Sequence, residues 1–403
     1  MMPRHLASEP LSGFQRVAAP CPYFGTCGGC AIQDLSYEDQ LALKRDRLQR
    51  ALAVLGPLPA LELIGLEEPW RYRNKAEFTF GEREGRMVLG YHQARSFSRI
   101  VDLDDCLLMP APAMAATRTA LDLARKTGLP VYHPRTHQGF FRYLVVRYSH
   151  ATQTILLCLM TTPGVREAVE DLARDVMARH PEVISVYWGV TNKLADVAVP
   201  DELHLLRGAA YLEDHLGPFR LRLHPMSFLQ TSSVQAARMY ERLSQALAAV
   251  SPSVAWDLYC GVGLVGFYLS RCARQVYAID SEPRHVESAE RNASLNGIQN
   301  VSFRVGCVET LLQDRRFWLQ EAKPDVIAVD PPRAGLHPHA LSSILAARPV
   351  RIAYFSCNVQ SLVRDLEMLL KSFPRYRVAE MTAFDMFPQT NHVETFVLLE
   401  RNA

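Results

Sequence analysis

Net charge is nearly missing from this 403-residue chain: 44 Lys and Arg stand against 42 Asp and Glu, a balance of 44 − 42 = +2. The whole-chain field is therefore weak, and any grip on a polyanion has to come from local basic patches. Long apolar runs are missing as well. No stretch reaches the ~18 residues a membrane helix needs, and the leading MMPRHLASEP lacks the apolar centre of a signal peptide. The expectation is a soluble, cytoplasmic, monomeric protein with no membrane partner. There is no internal repeat and no low-complexity segment. Charged residues make up only 21% and apolar residues 48%, which excludes the disordered class and leaves enough for ordinary cores. The length suggests two or three domains. Cysteine is scarce and odd in number at nine, yet three of the nine crowd into positions 21–30. In a reducing compartment such crowding reads as metal ligation or catalysis before disulfides.

Three regions follow from the pattern. Residues 1–65 hold a loose arm (1–20), the cysteine loop and a helix from Leu35 to Leu55, with Leu41, Leu48, Leu52 and Leu55 on one side. Residues 66–224 read as a central α+β domain. Its strands are Lys75–Gly81, Met87–Tyr91, Tyr143–Tyr148, Thr154–Met160 and Val183–Val190, and its helices Ala111–Thr127 and Val165–Arg179. From about residue 225 to 403, apolar runs alternate with helical stretches: Val254–Leu258, Gln275–Asp280, Val301–Val305, Val326–Asp330, Ile352–Ser356 and Thr395–Glu400. This alternation predicts a doubly wound α/β domain.

The first of those strands runs into a glycine turn, Asp257-Leu-Tyr-Cys-Gly-Val-Gly263, and then a helix. Gly261 and Gly263 let the backbone approach a ligand at the strand's carboxyl end. Taken alone the turn is weak, because dinucleotide enzymes use similar glycines and a tight βα turn needs no ligand at all. The next strand ends in Asp280, about 20 residues on, where an acid can accept hydrogen bonds from ribose hydroxyls. This spacing resembles class I methyltransferases more than dehydrogenases. Asp257 would repel a pyrophosphate but suits the uncharged linker and ammonium group of S-adenosylmethionine. Asp330-Pro-Pro-Arg333 follows the fourth strand of this region, its two prolines fixing a rigid loop. By itself the motif also allows methylation of an amino group.

Cys357 ends Ile352-Ala-Tyr-Phe-Ser-Cys357, just past an apolar strand at the ligand edge of the sheet, an unusual setting for a core cysteine. Uracil C5 is a poor carbon nucleophile until a thiolate adds to C6. The reaction then needs a cysteine, a methyl donor and a base for the C5 proton. A free cysteine titrates near ~8.5, so a neighbour is expected to lower it. Glu394 is the candidate base, with His392 on the same strand face two residues earlier. Position in the chain alone would equally allow a surface acid.

The segments FLQT (228–231), DLYCGVG (257–263), DPPRAGL (330–336), SCN (356–358) and FPQTNHVE (387–394) occur in an order that resembles the RNA uracil-C5 methyltransferase family. That resemblance implies Cys357 as nucleophile and Glu394 as base, with Gln230, Tyr259, Asp280 and Asp330 lining S-adenosylmethionine. The chain departs from the family pattern at Leu264, at Asp280, where glutamate is common, and near Cys307.

Cys21-Pro-Tyr-Phe-Gly-Thr-Cys27-Gly-Gly-Cys30 places three thiols within ten residues, and Gly28 and Gly29 let the loop wrap tightly. Cys106 is the expected fourth. Spacing leaves iron–sulfur and zinc equally open. The resemblance favours the ribosomal-RNA branch of the family, which carries a [4Fe-4S] cluster, and so 23S rRNA as substrate. A tRNA uracil-C5 methyltransferase and a non-catalytic RNA-binding protein on the same fold are the alternatives. Cys158 and Cys272 read as ordinary buried cysteines. Cations and aromatics interleave in Trp70-Arg-Tyr-Arg-Asn-Lys75, at Arg95, Phe97 and Arg99, and at Phe140, Phe141, Arg142, Tyr143 and Arg147, a mixture suited to phosphates and unstacked bases. Any one of them is more readily a solvated strand face. Twenty residues before Cys21 are too few for the β-barrel RNA-binding domain many ribosomal-RNA relatives have. The central domain, the cluster region and the cleft are therefore expected to hold the RNA.

Overall fold

The computed structural model describes residues 13–314, 323–372 and 374–402. The first twelve residues of the expected N-terminal arm lie outside the described residues. Seventeen strands are described. In chain order they are β1 (Leu61–Ile64), β2 (Lys75–Arg83), β3 (Arg86–His92), β4 (Ile100–Asp102), β5 (Phe141–Tyr148), β6 (Ile155–Thr161), β7 (Val183–Val190), β8 (Glu202–Gly208), β9 (Leu212–Leu216), β10 (Phe219–Leu223), β11 (Val254–Leu258), β12 (Gln275–Asp280), β13 (Val301–Val305), β14 (Val326–Val329), β15 (Arg351–Ser356), β16 (Tyr376–Phe384) and β17 (Glu394–Arg401).

The C-terminal sheet has eight strands in the order β1-β16-β17-β15-β14-β11-β12-β13. Strands β11 to β15 run parallel, and β17 is antiparallel to both β15 and β16. The apolar runs VAWDL and VIAV make β11 and β14 largely buried, as parallel strands covered on both faces must be. Strand order reverses between β11 and β14. In such a sheet the crevice beyond the strands' carboxyl ends at this reversal is the ligand site. The mixed α/β architecture expected from the alternating pattern is therefore present.

Two strands of this sheet were not visible in the sequence. β16 carries polar residues that break its apolar run. β1 has only four residues and comes from the N-terminal region, yet it pairs in parallel with β16. A second sheet, β4-β3-β2-β5-β6-β7-β8, forms the central region, with β5 and β6 buried along their whole length. The hairpin β9–β10 forms a separate two-stranded sheet. The expected N-terminal helix spans Tyr37–Leu52, capped by Ser36 accepting from the Asp39 N–H at 3.1 Å, with a short 3₁₀ turn to Leu55. No helix among the described residues is long and apolar enough to cross a membrane.

Candidate active site

One cavity opens beyond the carboxyl ends of β11, β12, β14 and β15. Gln230, Tyr259, Asp280, Asp330, Cys357 and Glu394 all line it. The expected cofactor and catalytic residues, drawn from six separate segments, thus meet in one place. Sheet register explains the pairing of the last two: Ser356 lies opposite Thr395 across β15 and β17, so the next residue on each side brings Cys357 opposite Glu394.

The glycine turn shapes the wall beside β11. Gly263 has φ +90°, and a Cβ there would sit 2.9 Å from the Ala289 Cβ, so only glycine fits. Gly261 has φ +52°, and the nearest atom to its missing Cβ is Phe228 Cδ1 at 3.9 Å, which leaves its face open to the cavity. Asp280 holds the turn. Its carboxylate accepts from the Gly261 N–H at 2.9 Å and the Glu282 N–H at 2.9 Å, and His285 Nδ1 lies 3.1 Å away. Burial opposes its charge, but the His285 and backbone hydrogen bonds win and hold it below the usual carboxylate range. Its Oδ2 accepts only from Gly261 and keeps a lone pair for a ribose hydroxyl.

Three wall residues had no role in the sequence reading. Glu309 accepts hydrogen bonds from Tyr259 Oη at 2.8 Å and from Cys307 Sγ at 2.8 Å, tying the tyrosine in place. His285 orients Asp280, and Arg333 is the cation beside the reacting groups. Glu309 is the second residue of a four-residue helix, Val308–Leu311, whose apolar signal is too short to flag. Leu264 and Cys307, where the chain departs from the family pattern, both line the cavity.

Asp257 corrects an expectation. It is fully buried, does not line the cavity, and has no hydrogen-bond partner on either carboxylate oxygen among the described residues. It sits beneath the turn, with Oδ2 3.1 Å from where a Cβ of Gly266 would be, and burial drives its carboxyl far up. His392 is corrected too: β17 begins at Glu394, so the histidine lies in the preceding loop and lines no part of the cavity.

The reacting groups repel one another's charge. Burial pushes the Cys357 thiol up to about 12, with Glu394 and Asp330 adding to the rise and Arg333 opposing it. Burial lifts Asp330 to about 7 and Glu394 well above the usual carboxylate range. Glu394 is 3% exposed and its Oε2 has no hydrogen-bond partner among the described residues. The expected lowering of the cysteine is therefore absent from the free site. Burial, together with two acidic neighbours, outweighs one exposed arginine, and a cationic ligand in the cavity would oppose the rise. In the free protein, alkylation of Cys357 by iodoacetamide should rise about tenfold per pH unit and show no plateau below pH ~10. Peptide mass spectrometry across pH 6–10 reads this. A plateau near pH ~8.5 would mean an unperturbed thiol.

A second cavity brings together Cys21, Cys27, Cys30 and Cys106. Burial pushes Cys27 up to about 11 and Cys30 up to about 12, and each feels the negative charge of Cys106. Among the described residues no group of three or more His, Cys, Asp and Glu side chains is gathered closely enough to hold a single metal ion. The four thiols share the wall of one cavity. Arg73 Nε and Tyr91 Oη, both in this wall, are buried and without hydrogen-bond partners among the described residues. Four thiols and two unused donors fit an anionic cluster with thiolate ligands and acceptor sulfides.

That placement revises the reading of the basic and aromatic segments. Arg73 lines the cysteine cavity. Asn74 is buried, and its side-chain amide donates to Gln230 O at 2.7 Å and Ser233 Oγ at 3.0 Å. Arg71 pairs with Asp105, and Lys75 with Glu77. Arg142 is buried and donates to the Lys193 carbonyl at 2.7 Å. Arg147, also buried, donates to the carbonyls of Pro225 and Ser227, just ahead of Gln230. Phe140, Phe141 and Tyr143 are core residues. Arg142 and Arg147 satisfy backbone carbonyls inside the protein and do not face solvent. Arg95, Phe97 and Arg99 are exposed, Phe97 at 89%. Cys260, Cys307 and Cys357 all line the active-site cavity. Cys158 is buried and Cys272 half-buried.

Residues 213–402 match the family described as tRNA (Uracil-5-)-methyltransferase. An uncharacterized RNA methyltransferase of Halalkalibacterium halodurans is 35% identical over 388 residues, spanning 96% of this chain and 84% of that protein. Another from Caldanaerobacter subterraneus subsp. tengcongensis is 36% identical over 394 residues, spanning 96% and 85%. The crystal structure of the Pyrococcus abyssi tRNA (uracil-54, C5)-methyltransferase in complex with S-adenosyl-L-homocysteine superposes with a TM-score of 0.77 at 28% identity, covering 97% of this chain and 86% of that one.

Proposed function

This chain belongs to the RNA uracil-5-methyltransferase family and is an S-adenosylmethionine-dependent enzyme of that class, and on that premise we propose that it makes 5-methyluridine in 23S rRNA with Cys357 as nucleophile and Glu394 as base. The observation that carries this reading is the meeting of Cys357, Glu394 and Asp330 in one cavity with the glycine turn and Asp280.

Asp280 and the open face of Gly261 would hold the ribose and linker of the cofactor, with Tyr259, Gln230 and Asp330 beside it. When bound, S-adenosylmethionine supplies an electrophilic methyl on a cationic sulfonium. Its positive charge enters a wall that carries Asp330, Glu394 and Cys357, and so favours their ionised forms. The Cys357 sulfur bonds to uracil C6, its proton leaves to solvent, and the ring's electron pair moves toward C5 and the C4 oxygen. C5 then bonds to the methyl group, and the carbon–sulfonium bond breaks to give the neutral thioether. Glu394 takes the C5 proton, the C5–C6 double bond re-forms, and the Cys357 sulfur departs from C6. Burial makes the Glu394 carboxylate a stronger base than an ordinary surface acid, which this carbon acid requires. The target uridine has to leave its stack to reach Cys357, and the exposed Arg95, Phe97 and Arg99 are suited to gripping the strand beside it.

The same reading divides the chain at 1–65, 66–224 and 225–403. It assigns a [4Fe-4S] cluster to Cys21, Cys27, Cys30 and Cys106, with Arg73 and Tyr91 donating to it. The cluster would order the N-terminal segment and take no part in the reaction, since methyl transfer to an activated carbon moves no net electron. A tRNA substrate is the second reading, favoured by the Pyrococcus abyssi structure, whose own substrate is tRNA uracil-54.

Both points are tested with anaerobically purified protein of measured iron and sulfide content. It is given labelled S-adenosylmethionine with unmodified 23S rRNA and with unmodified tRNA, side by side. The expected result is 5-methyluridine in 23S rRNA alone, from protein holding four irons per chain, the number a [4Fe-4S] centre contains. 5-Methyluridine in tRNA alone would overturn the substrate, and iron-free or zinc-loaded active protein would overturn the cluster.

A further inference from the structure

We propose that Gln389 is a positioning residue for the base Glu394, clamping the loop that carries it to the cysteine loop and the N-terminal helix. The inference rests on the assignment of Glu394 as base.

Glu394 is the first residue of β17. Its carboxyl-side neighbours are fixed by the sheet, but on its amino side the backbone enters from the loop 385–393. That loop therefore sets half of the constraint on its side chain. Gln389 is buried in the middle of the loop with φ +70°, a left-handed conformation that a non-glycine residue keeps only where its surroundings impose it.

The surroundings are visible. The Gln389 carbonyl accepts from the Ala31 N–H at 2.9 Å and the Ile32 N–H at 3.2 Å, the two residues that follow Cys30. Its backbone N–H donates to Gln40 Oε1 at 3.0 Å, and Gln40 Nε2 returns a hydrogen bond to Gln389 Oε1 at 2.8 Å. The clamp is reinforced on both sides. The buried Lys44 donates to Asp385 at 2.6 Å and to the Phe387 carbonyl at 3.1 Å, and Tyr72 Oη donates to the Pro388 carbonyl at 3.1 Å. Gln389 is thus where the cysteine loop, the helix Tyr37–Leu52 and the strand of the base are joined.

Glu394 acts only after the cysteine adduct has formed and been methylated. A misplaced base therefore leaves a specific trace: methylated RNA still bonded to Cys357. The test uses Gln389→Gly, which keeps the positive φ without strain, and Gln40→Ala, which leaves the loop's own sequence intact. Each is compared with wild type and Glu394→Gln for denaturant-stable RNA adduct during turnover, S-adenosylmethionine Kd, iron content and Tm. The expected result for both variants is accumulated methylated adduct and a turnover slowed about tenfold to a hundredfold, with cofactor Kd and iron unchanged. If Gln389→Gly fails to fold, Gln40→Ala decides. Adduct levels no higher than wild type, while Glu394→Gln accumulates adduct, would overturn the positioning role alone. Absence of adduct in Glu394→Gln would overturn the base assignment and this inference with it.

Discussion

Cys357→Ala should reduce 5-methyluridine formation by about four to six orders of magnitude, the loss seen when a covalent nucleophile is removed. The size follows from the substrate. Uracil C5 carries too little electron density to attack even a sulfonium methyl, and the acids and the arginine around Cys357 cannot raise it. Asp330 and Glu394 are oxygen acids with raised proton affinity, and Arg333 is a cation, so none replaces sulfur addition at C6. Binding of S-adenosylmethionine should be unchanged, because the turn, Asp280 and Tyr259 are held by contacts that do not involve Cys357. A Cys357→Ala protein with full activity would point instead to methylation of an amino group, which Asp330-Pro-Pro would serve without a nucleophile.

Glu394→Gln should be nearly as inactive in turnover, for a different reason. Sulfur addition and methyl transfer precede proton removal, so the amide variant should complete both and then stop. The product is a saturated, 5-methylated pyrimidine bonded to Cys357, without the C5–C6 double bond. Each enzyme molecule should consume one S-adenosylmethionine and remain attached to RNA through denaturing electrophoresis. The isosteric amide keeps the shape of a buried site whose Oε2 has no hydrogen-bond partner among the described residues. It also removes one of the charges that raises Cys357, so adduct formation should not be slowed. A loss of activity without adduct would mean that Glu394 acts before or during sulfur addition.

Much of this site could be read in the sequence because its residues sit at fixed places relative to strand ends. Asp280, Asp330 and Cys357 each end or follow an apolar run, and those runs match β12, β14 and β15 closely. A parallel sheet brings such ends to one edge whatever the loops do. What was misread turns on direction, which one-dimensional pattern does not carry. Arg73, Asn74, Arg142 and Arg147 looked like an RNA-binding face, yet they turn inward to the cysteine cavity or to backbone groups of other segments. Asp257 looked like a ligand contact and lies under its turn. β1 and the Gln389 clamp join residues more than 300 positions apart, so no local period could reveal them. Cys21, Cys27, Cys30 and Cys106 line one cavity although 76 positions separate Cys30 from Cys106, a proximity that only the scarcity of thiols could suggest in the sequence.

The most direct test of the account is to isolate the Glu394→Gln complex with substrate RNA and S-adenosylmethionine, digest both polymers, and sequence the cross-linked peptide by mass spectrometry. The account predicts one peptide, carrying on Cys357 a uridine nucleotide heavier by a methyl group. The same nucleotide on Cys260, Cys307 or any other cysteine, or a methylated RNA never bonded to protein, would contradict it.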